Sequence, residues 1–111
     1  MRSKDKLMGM GTIEQSYEKF GCMYSDRGII SRDFHDCTTS DLVIFHLLGA
    51  EKISIGTIME LAWCYQKRIP TVVIMGLKWN IHDHPMVREA INFRVDSIEE
   101  AVEVAISVLG L

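Results

Sequence analysis

The sequence predicts an α/β domain in which parallel strands form the middle layer of a three-layer arrangement. Three observations carry this. Two short runs, Asp41–Leu48 (DLVIFHLL) and Thr71–Met75 (TVVIM), are almost wholly apolar and rich in β-branched residues. Runs of that length and kind read as strands buried on both faces. Between them lies a helical pattern, and after the second the helix–strand order repeats. The chain therefore alternates β-α-β-α-β-α, the order expected of parallel strands joined by crossover helices.

Composition sets the outer limits. The 111 residues, 48% of them hydrophobic, suit one small domain with a packed core. The formal net charge is −3 and the basic residues are scattered, which weighs against a nucleic-acid groove. No apolar run approaches the roughly 20 residues of a membrane span. Arg2, Lys4, Asp5 and Lys6 are followed by no apolar stretch of the signal-peptide kind. Cys22, Cys37 and Cys64 are odd in number and share no metal-ligand spacing. They read as reduced thiols of a cytoplasmic protein.

Each element can be justified in turn. Residues 1–31 are punctuated by Gly9, Gly11, Gly21 and Gly28 and read as an arm or long loop, with Ile13–Phe20 as a short helix at most. Arg32–Thr39 suits a short helix starting near Ser31 or Asp33. The Asp41–Leu48 strand leads to a loop and a helix beginning around Ser54-Ile55-Gly56-Thr57. Ile58, Leu61, Ala62 and Tyr65 give that helix one apolar face. It ends near Lys67-Arg68, where basic residues suit a helix C-terminus. Pro70 breaks the chain before the Thr71–Met75 strand, and Leu77–Asp83 is a loop. Pro85 fits the first position of a short helix over Met86–Asn92, and Phe93–Val95 is a brief third strand. Ser97-Ile98-Glu99-Glu100 is a capping box for a last helix that runs to Leu109 and stops at Gly110.

The chemistry concentrates where the first strand passes through a small-residue loop into a helix. Such a junction offers free backbone N–H groups and the positive end of a helix dipole. Ser54 and Gly56 are small enough to let an anionic or sugar group approach the backbone. Thr57-x-x-Glu60 has two readings. It is a capping-box pattern in the first turn, or Glu60 is a nucleophile or general base at the mouth of the sheet. Asp33 and Asp36 are helix-start acids or site residues, and Asp41 reads as structural. His82-Asp83-His84 lacks a third ligand at a helical or hairpin spacing, so no metal is expected. His84 reads as a polar residue at a helix N-terminus, and the methionines as core filler.

The series Arg32-Asp33, Ser40-Asp41-Leu42-Val43-Ile44, Leu48-Gly49-Ala50, Ser54-Ile55-Gly56-Thr57-Ile58-Met59-Glu60-Leu61, Lys67-Arg68-Ile69-Pro70-Thr71-Val72-Val73 and His84-Pro85-Met86-Val87-Arg88-Glu89 resembles the nucleoside 2-deoxyribosyltransferase family. That family includes deoxynucleoside 5′-monophosphate N-glycosidases, and the likeness runs from Arg27 to Leu109. It implies a flavodoxin- or Rossmann-like sandwich, shortened at its N-terminus because the family's first strand and glycine turn precede the matched region. The Asp41–Leu48 strand would then lie at an exposed edge.

The resemblance also implies roles. Glu60 would be the nucleophile that attacks C1′ of a 2-deoxyribonucleoside, and Asp33 the acid that meets or protonates the base. Ser54 stands where nucleoside-using members carry an acid and monophosphate-using members a serine. Gly56 and Thr57 would line the substrate. His84 and Met86 belong to the loop that completes a neighbouring subunit's site, which implies a homo-oligomer with shared active sites. The ligand would be a small-molecule nucleoside or nucleotide, with no cofactor. The runner-up reading is a non-catalytic nucleotide-binding or regulatory oligomer that keeps the fold.

Overall fold

A computed structural model describes residues 21–111. The helix expected over Ile13–Phe20 lies outside the described residues. The chain divides into two compact units at the Asp36–Cys37 junction. Each is described by itself.

In the first unit a 3-10 turn, Gly21–Tyr24, leads into helix α1, Asp26–Thr39. The helix starts six residues before the expected Arg32, so residues 21–31 are not the irregular arm that their glycines suggest. Its start is set by Ser25, whose hydroxyl accepts from the Gly28 N–H at 3.0 Å and donates to the Cys22 carbonyl at 2.8 Å. Neither Ser31 nor Asp33 is a cap. Ser31 instead donates back to the Arg27 carbonyl at 2.8 Å. Gly28 is no breaker here. A Cβ at that position would clash with the Cys22 carbonyl oxygen, so only glycine lets the 3-10 turn fold against the helix. The Arg32 guanidinium lies over the Tyr24 ring, 5.3 Å from its centroid.

The second unit begins with the last turn of α1 and contains the sheet. Strand β1 is Val43–His46, β2 is Thr71–Ile74 and β3 is Phe93–Val95. They lie in the order β1-β2-β3, all parallel, with Val43 opposite Thr71 and Val72 opposite Phe93. Helix α2, Ile55–Lys67, follows β1. Helix α3, Pro85–Ala90, lies between β2 and β3, and α4, Ile98–Leu109, follows β3. The expected alternation and the parallel sheet are both present.

β2 is buried throughout, as an internal strand must be. Its side chains alternate between two cores. Val73 and Met75 join Phe45, Leu47, Leu61, Cys64 and Cys37 in one. Val72 and Ile74 join Val95 and Ala101 in the other. This period of two is the pleat expressed as packing.

β1 differs from expectation. It is shorter than Asp41–Leu48 and not buried on both faces, since Ile44 is 43% exposed and His46 is exposed. The reason is its position at the edge of the described sheet, with a ladder partner on one side only. Leu47 still donates to the Ile74 carbonyl at 2.7 Å, one residue beyond the strand.

Helix α2 also turns differently. Leu61 and Cys64 are its buried residues and Ile58 packs beside them, whereas Ala62 and Tyr65 are exposed. Its core-facing stripe is therefore Ile58-Leu61-Cys64, not Ile58-Leu61-Ala62-Tyr65. Ala62 and Tyr65 instead line an open apolar groove of about 530 Å³ against α3, with Met86 and Val87 on its far wall. α2 ends at Arg68, which takes a left-handed conformation (φ 59°) and donates to the carbonyls of Cys64 and Tyr65.

Helix α3 is shorter than the expected Met86–Asn92. Ile91 leaves the helix in an extended conformation, and Asn92 is used to seat β2. The Asn92 Oδ1 accepts from the Thr71 N–H at 2.9 Å and from its hydroxyl at 3.2 Å, while the Thr71 hydroxyl accepts from the Asn92 N–H. Those bonds satisfy a buried polar side chain. α4 follows its sequence signals closely. Ser97 accepts from the Glu100 N–H at 3.1 Å, Glu100 reaches back to the Asp96 N–H at 3.0 Å, and Gly110 caps the other end at φ 73°. Among the described residues, no helix is long and apolar enough to cross a membrane.

Candidate functional site

The carboxyl ends of β1 and β2 are held open by two loops. After β1 the chain runs through Leu47–Ile53 to Ser54. After β2, Gly76 turns at φ 71°, a left-handed value that suits glycine, and the chain continues through Trp79 to His84. What each loop offers follows from its hydrogen bonds.

Ser54 is the N-cap of α2. Its backbone is extended (φ −91°, ψ 105°), and its hydroxyl accepts from the Thr57 N–H at 3.2 Å. The sequence admits Thr57 and Glu60 as a capping pair. The structure corrects that reading, because the cap sits three residues earlier. Thr57 is the donor to the cap and Glu60 lies in the second turn, with no acid in the first. Glu60 is half-buried. Gly56, in the first turn, faces open space: a Cβ built there meets nothing within 4 Å.

The Ser54 loop is tied to the β2 loop by a buried histidine. His82 is 2% exposed, and its Nε2 accepts the Ser54 N–H at 2.9 Å. A backbone N–H can only donate, so Nε2 carries no proton. Nδ1 is then the protonated nitrogen, and it donates to Asn80 Oδ1 at 3.2 Å. The same oxygen accepts the His82 N–H at 2.9 Å, and Asn80 Nδ2 donates to the Leu47 carbonyl at 2.8 Å. One continuous network thus joins the end of β1, the β2 loop and the start of α2.

The His82-Asp83-His84 triplet divides into three separate tasks. His82 holds Ser54. Asp83 binds Arg88 at 2.9 Å and Arg94 at 3.1 Å. The hydrogen bonds from Arg94 and then Arg88 hold its carboxyl below the ordinary value of 3.8. His84 caps α3, its Nδ1 accepting from the Met86 N–H at 3.1 Å, and Pro85 takes the first helical position. Among the described residues, no three His, Cys, Asp or Glu side chains gather as a metal site would require.

The sequence-derived candidates therefore fall into groups. Ser54, Gly56, Thr57 and Glu60 share the first two turns of α2 and its cap. His84 and Met86 are joined at the start of α3, and Met86 is an exposed wall of the α2–α3 groove. Asp33 is half-buried on α1, in the first unit. Asn80 escapes sequence reasoning, and His82 enters it only as part of a metal-like triplet, not as a tether. Their partners lie 33 and 28 residues away, and no local pattern marks them. Trp79 escapes it too. It is 95% exposed and holds φ 62°, a left-handed value uncommon for a bulky residue.

Cys64 sits in the core on the side of α2 that faces the sheet. Burial pushes its thiol above the ordinary value of 9.0, against the Cys37 hydrogen bond, and the charge of Glu60 one turn away adds to the rise. All three cysteines described are free. No protein-family model, no curated protein and no solved structure matches this chain.

Proposed function

We propose that this chain cleaves or transfers at the N-glycosidic bond of 2′-deoxynucleosides or their 5′-monophosphates. A Glu60 carboxylate oxygen bonds to C1′ as the C1′–N bond breaks. The base leaves as its freed nitrogen takes up a proton from solvent. Water or an incoming base then displaces Glu60 from C1′, giving retention overall through an oxocarbenium-like transition state.

One observation carries this reading furthest. Ser54 caps α2, and Glu60 stands half-buried in the second turn of that helix, which follows a parallel strand. That is where open α/β sheets place their ligands. The three-stranded sheet with helices after each strand supports a three-layer, Rossmann-like sandwich as its frame.

Two further features support a nucleotide. Trp79, next to the tethered Asn80, offers a flat and exposed aromatic face for a base. Ser54 brings no charge to the start of α2. An acid there would repel a phosphate 5 Å away by roughly 3 kcal/mol at an effective dielectric near 20, so serine favours the monophosphate. The apolar groove between α2 and α3, with Met86 on its wall, supports a homo-oligomer in which neighbouring copies share sites.

The test compares deoxycytidine with its 5′-monophosphate, incubated with the purified protein and with Glu60→Gln. Chromatography should find free cytosine from the parent only, and more of it from the monophosphate. Cytosine release by Glu60→Gln at the parent's rate would overturn the role of Glu60. A nucleotide-dependent rise in Tm with no free base from either protein would replace the enzyme by a binding protein.

A further inference from the structure

We propose that His82 is a positioning residue, a latch whose neutral imidazole holds the Ser54 loop in place and whose protonation releases it. The inference stands on the network described above. His82 is 2% exposed, yet its Nε2 is committed as the acceptor for a backbone N–H at 2.9 Å. A second ring proton would put two donors face to face at that distance, with no lone pair between them. The opposite ring nitrogen offers no relief, because Nδ1 already faces Asn80 Oδ1, which also accepts the His82 N–H. Asn80 cannot swing round to help. Its amide nitrogen is engaged by the Leu47 carbonyl at 2.8 Å.

Protonation therefore has one outlet, parting the Ser54 N–H from the ring. Ser54 is the cap of α2, so the parting is felt by the first turn of that helix, where Ser54 accepts from Thr57. The latch is a property of the fold itself. Its effect on a ligand rests on the nucleotide reading above.

The other titratable and charged groups on the elements meeting at His82 are few. His46 ends β1, Glu51 and Lys52 lie in the loop before Ser54, and α2 carries Glu60 and, further along, Cys64, Tyr65 and Lys67. Lys78, Asp83 and His84 share the His82 loop, with Asp83 bound by Arg88 and Arg94. His82→Gln leaves every one of them in place. It also keeps an acceptor near the Nε2 position, as an amide oxygen that does not titrate. A difference in pH response between the parent and His82→Gln thus isolates His82.

The experiment follows the Ser54 amide by 15N-resolved NMR and hydrogen exchange from about pH 8 to about pH 4.5. In the parent, the Ser54 amide should be protected at the upper end and lose about tenfold or more of that protection relative to neighbouring amides on acidification. His82→Gln should keep the protection without the pH dependence, and His82→Ala should lack it throughout. A parent whose relative Ser54 protection is flat across the range overturns the latch, as does a His82→Ala protein as protected as the parent. The parent's own titration decides the matter even where a variant fails to fold. Binding of deoxycytidine 5′-monophosphate, measured alongside, keeps the two readings apart. Titration of Ser54 without nucleotide binding at any pH leaves the latch and removes the nucleotide. Binding with a flat Ser54 does the reverse.

Discussion

The Ser54 hydroxyl accepts the Thr57 N–H at 3.2 Å, and that single bond decides which residues of the α2 turn are structural. Ser54 is the cap and Thr57 its partner in the first turn. Loss of a serine cap costs about 1 kcal/mol. Ser54→Ala should therefore lower unfolding free energy by about that amount in urea. Thr57→Ala, which removes only a half-buried side chain and keeps the N–H, should cost under about 0.5 kcal/mol. The reverse order would restore Thr57 as the cap.

This junction also shows what is legible in a sequence and what is not. Ser97-x-x-Glu100, Gly110 and Pro85 were readable because each acts within a few residues of its own helix end, and each marks that end, with Glu100 reaching the Asp96 N–H one residue before the cap. At α2 two patterns with the same spacing overlap. Thr57-x-x-Glu60 has the capping-box form and Ser54-x-x-Thr57 lacks the acid, so local chemistry favours the start that the fold does not use. The anchor that ranks them is His82, which fixes the Ser54 N–H from 28 residues away. Gly28 misleads for a related reason. It reads as punctuation, yet it is needed inside α1 because the Cys22 carbonyl crowds that position. The parallel sheet itself was legible, since the apolar runs of β2 and the helix–strand alternation are properties of the chain as a whole. The burial of β1 was not legible in its apolar run, because among the described residues it pairs on one side only, the edge position that the family resemblance had implied.

Asp83 joins the β2 loop to α3 and β3, and its carboxyl is held below the ordinary 3.8 by Arg94 and, secondarily, Arg88. A depressed carboxylate contributes stability that is complete above its unfolded value and lost as pH falls through the folded one. Thermal melts taken downward from neutral pH should therefore lose Tm below about pH 4. Asp83→Asn should start with a lower Tm at neutral pH and lose less of it on acidification. Arg94→Ala should resemble Asp83→Asn more than Arg88→Ala does, because Arg94 is 16% exposed and Arg88 48%. Identical acid profiles for the parent and Asp83→Asn would dismiss the pairing as a stabilising element.

At the alkaline end the relevant group is Cys64. Burial keeps its thiol protonated beyond the ordinary 9.0. Below that value the folded and unfolded chains both hold the proton. Above it the unfolded chain ionises first, so stability falls as pH rises toward the folded value. The urea midpoint should drop between about pH 8.5 and about pH 10, and drop less in Cys64→Val. The same burial predicts labelling order. A thiol reagent at neutral pH should modify exposed Cys22 quickly and reach Cys37 and Cys64 only on unfolding. Rapid labelling of Cys64 in the native protein would contradict its place in the core.

Gly56 separates stability from function most directly. It sits in the first turn of α2, it has no left-handed φ, and an added Cβ would meet nothing. As a purely structural position it is poorly filled, because alanine favours helix and reduces the freedom of the unfolded chain. Gly56→Ala should therefore stabilise the protein by up to about 1 kcal/mol. The N–H groups of the first turn have no intrahelical acceptors, and they are what an anionic ligand would use. A methyl group placed among them would block that approach. The expected result is a protein with a higher urea midpoint and about tenfold or weaker binding of deoxycytidine 5′-monophosphate. A stabilised variant with unchanged nucleotide binding would mean that the open space at Gly56 is solvent and that the ligand, if bound, lies elsewhere.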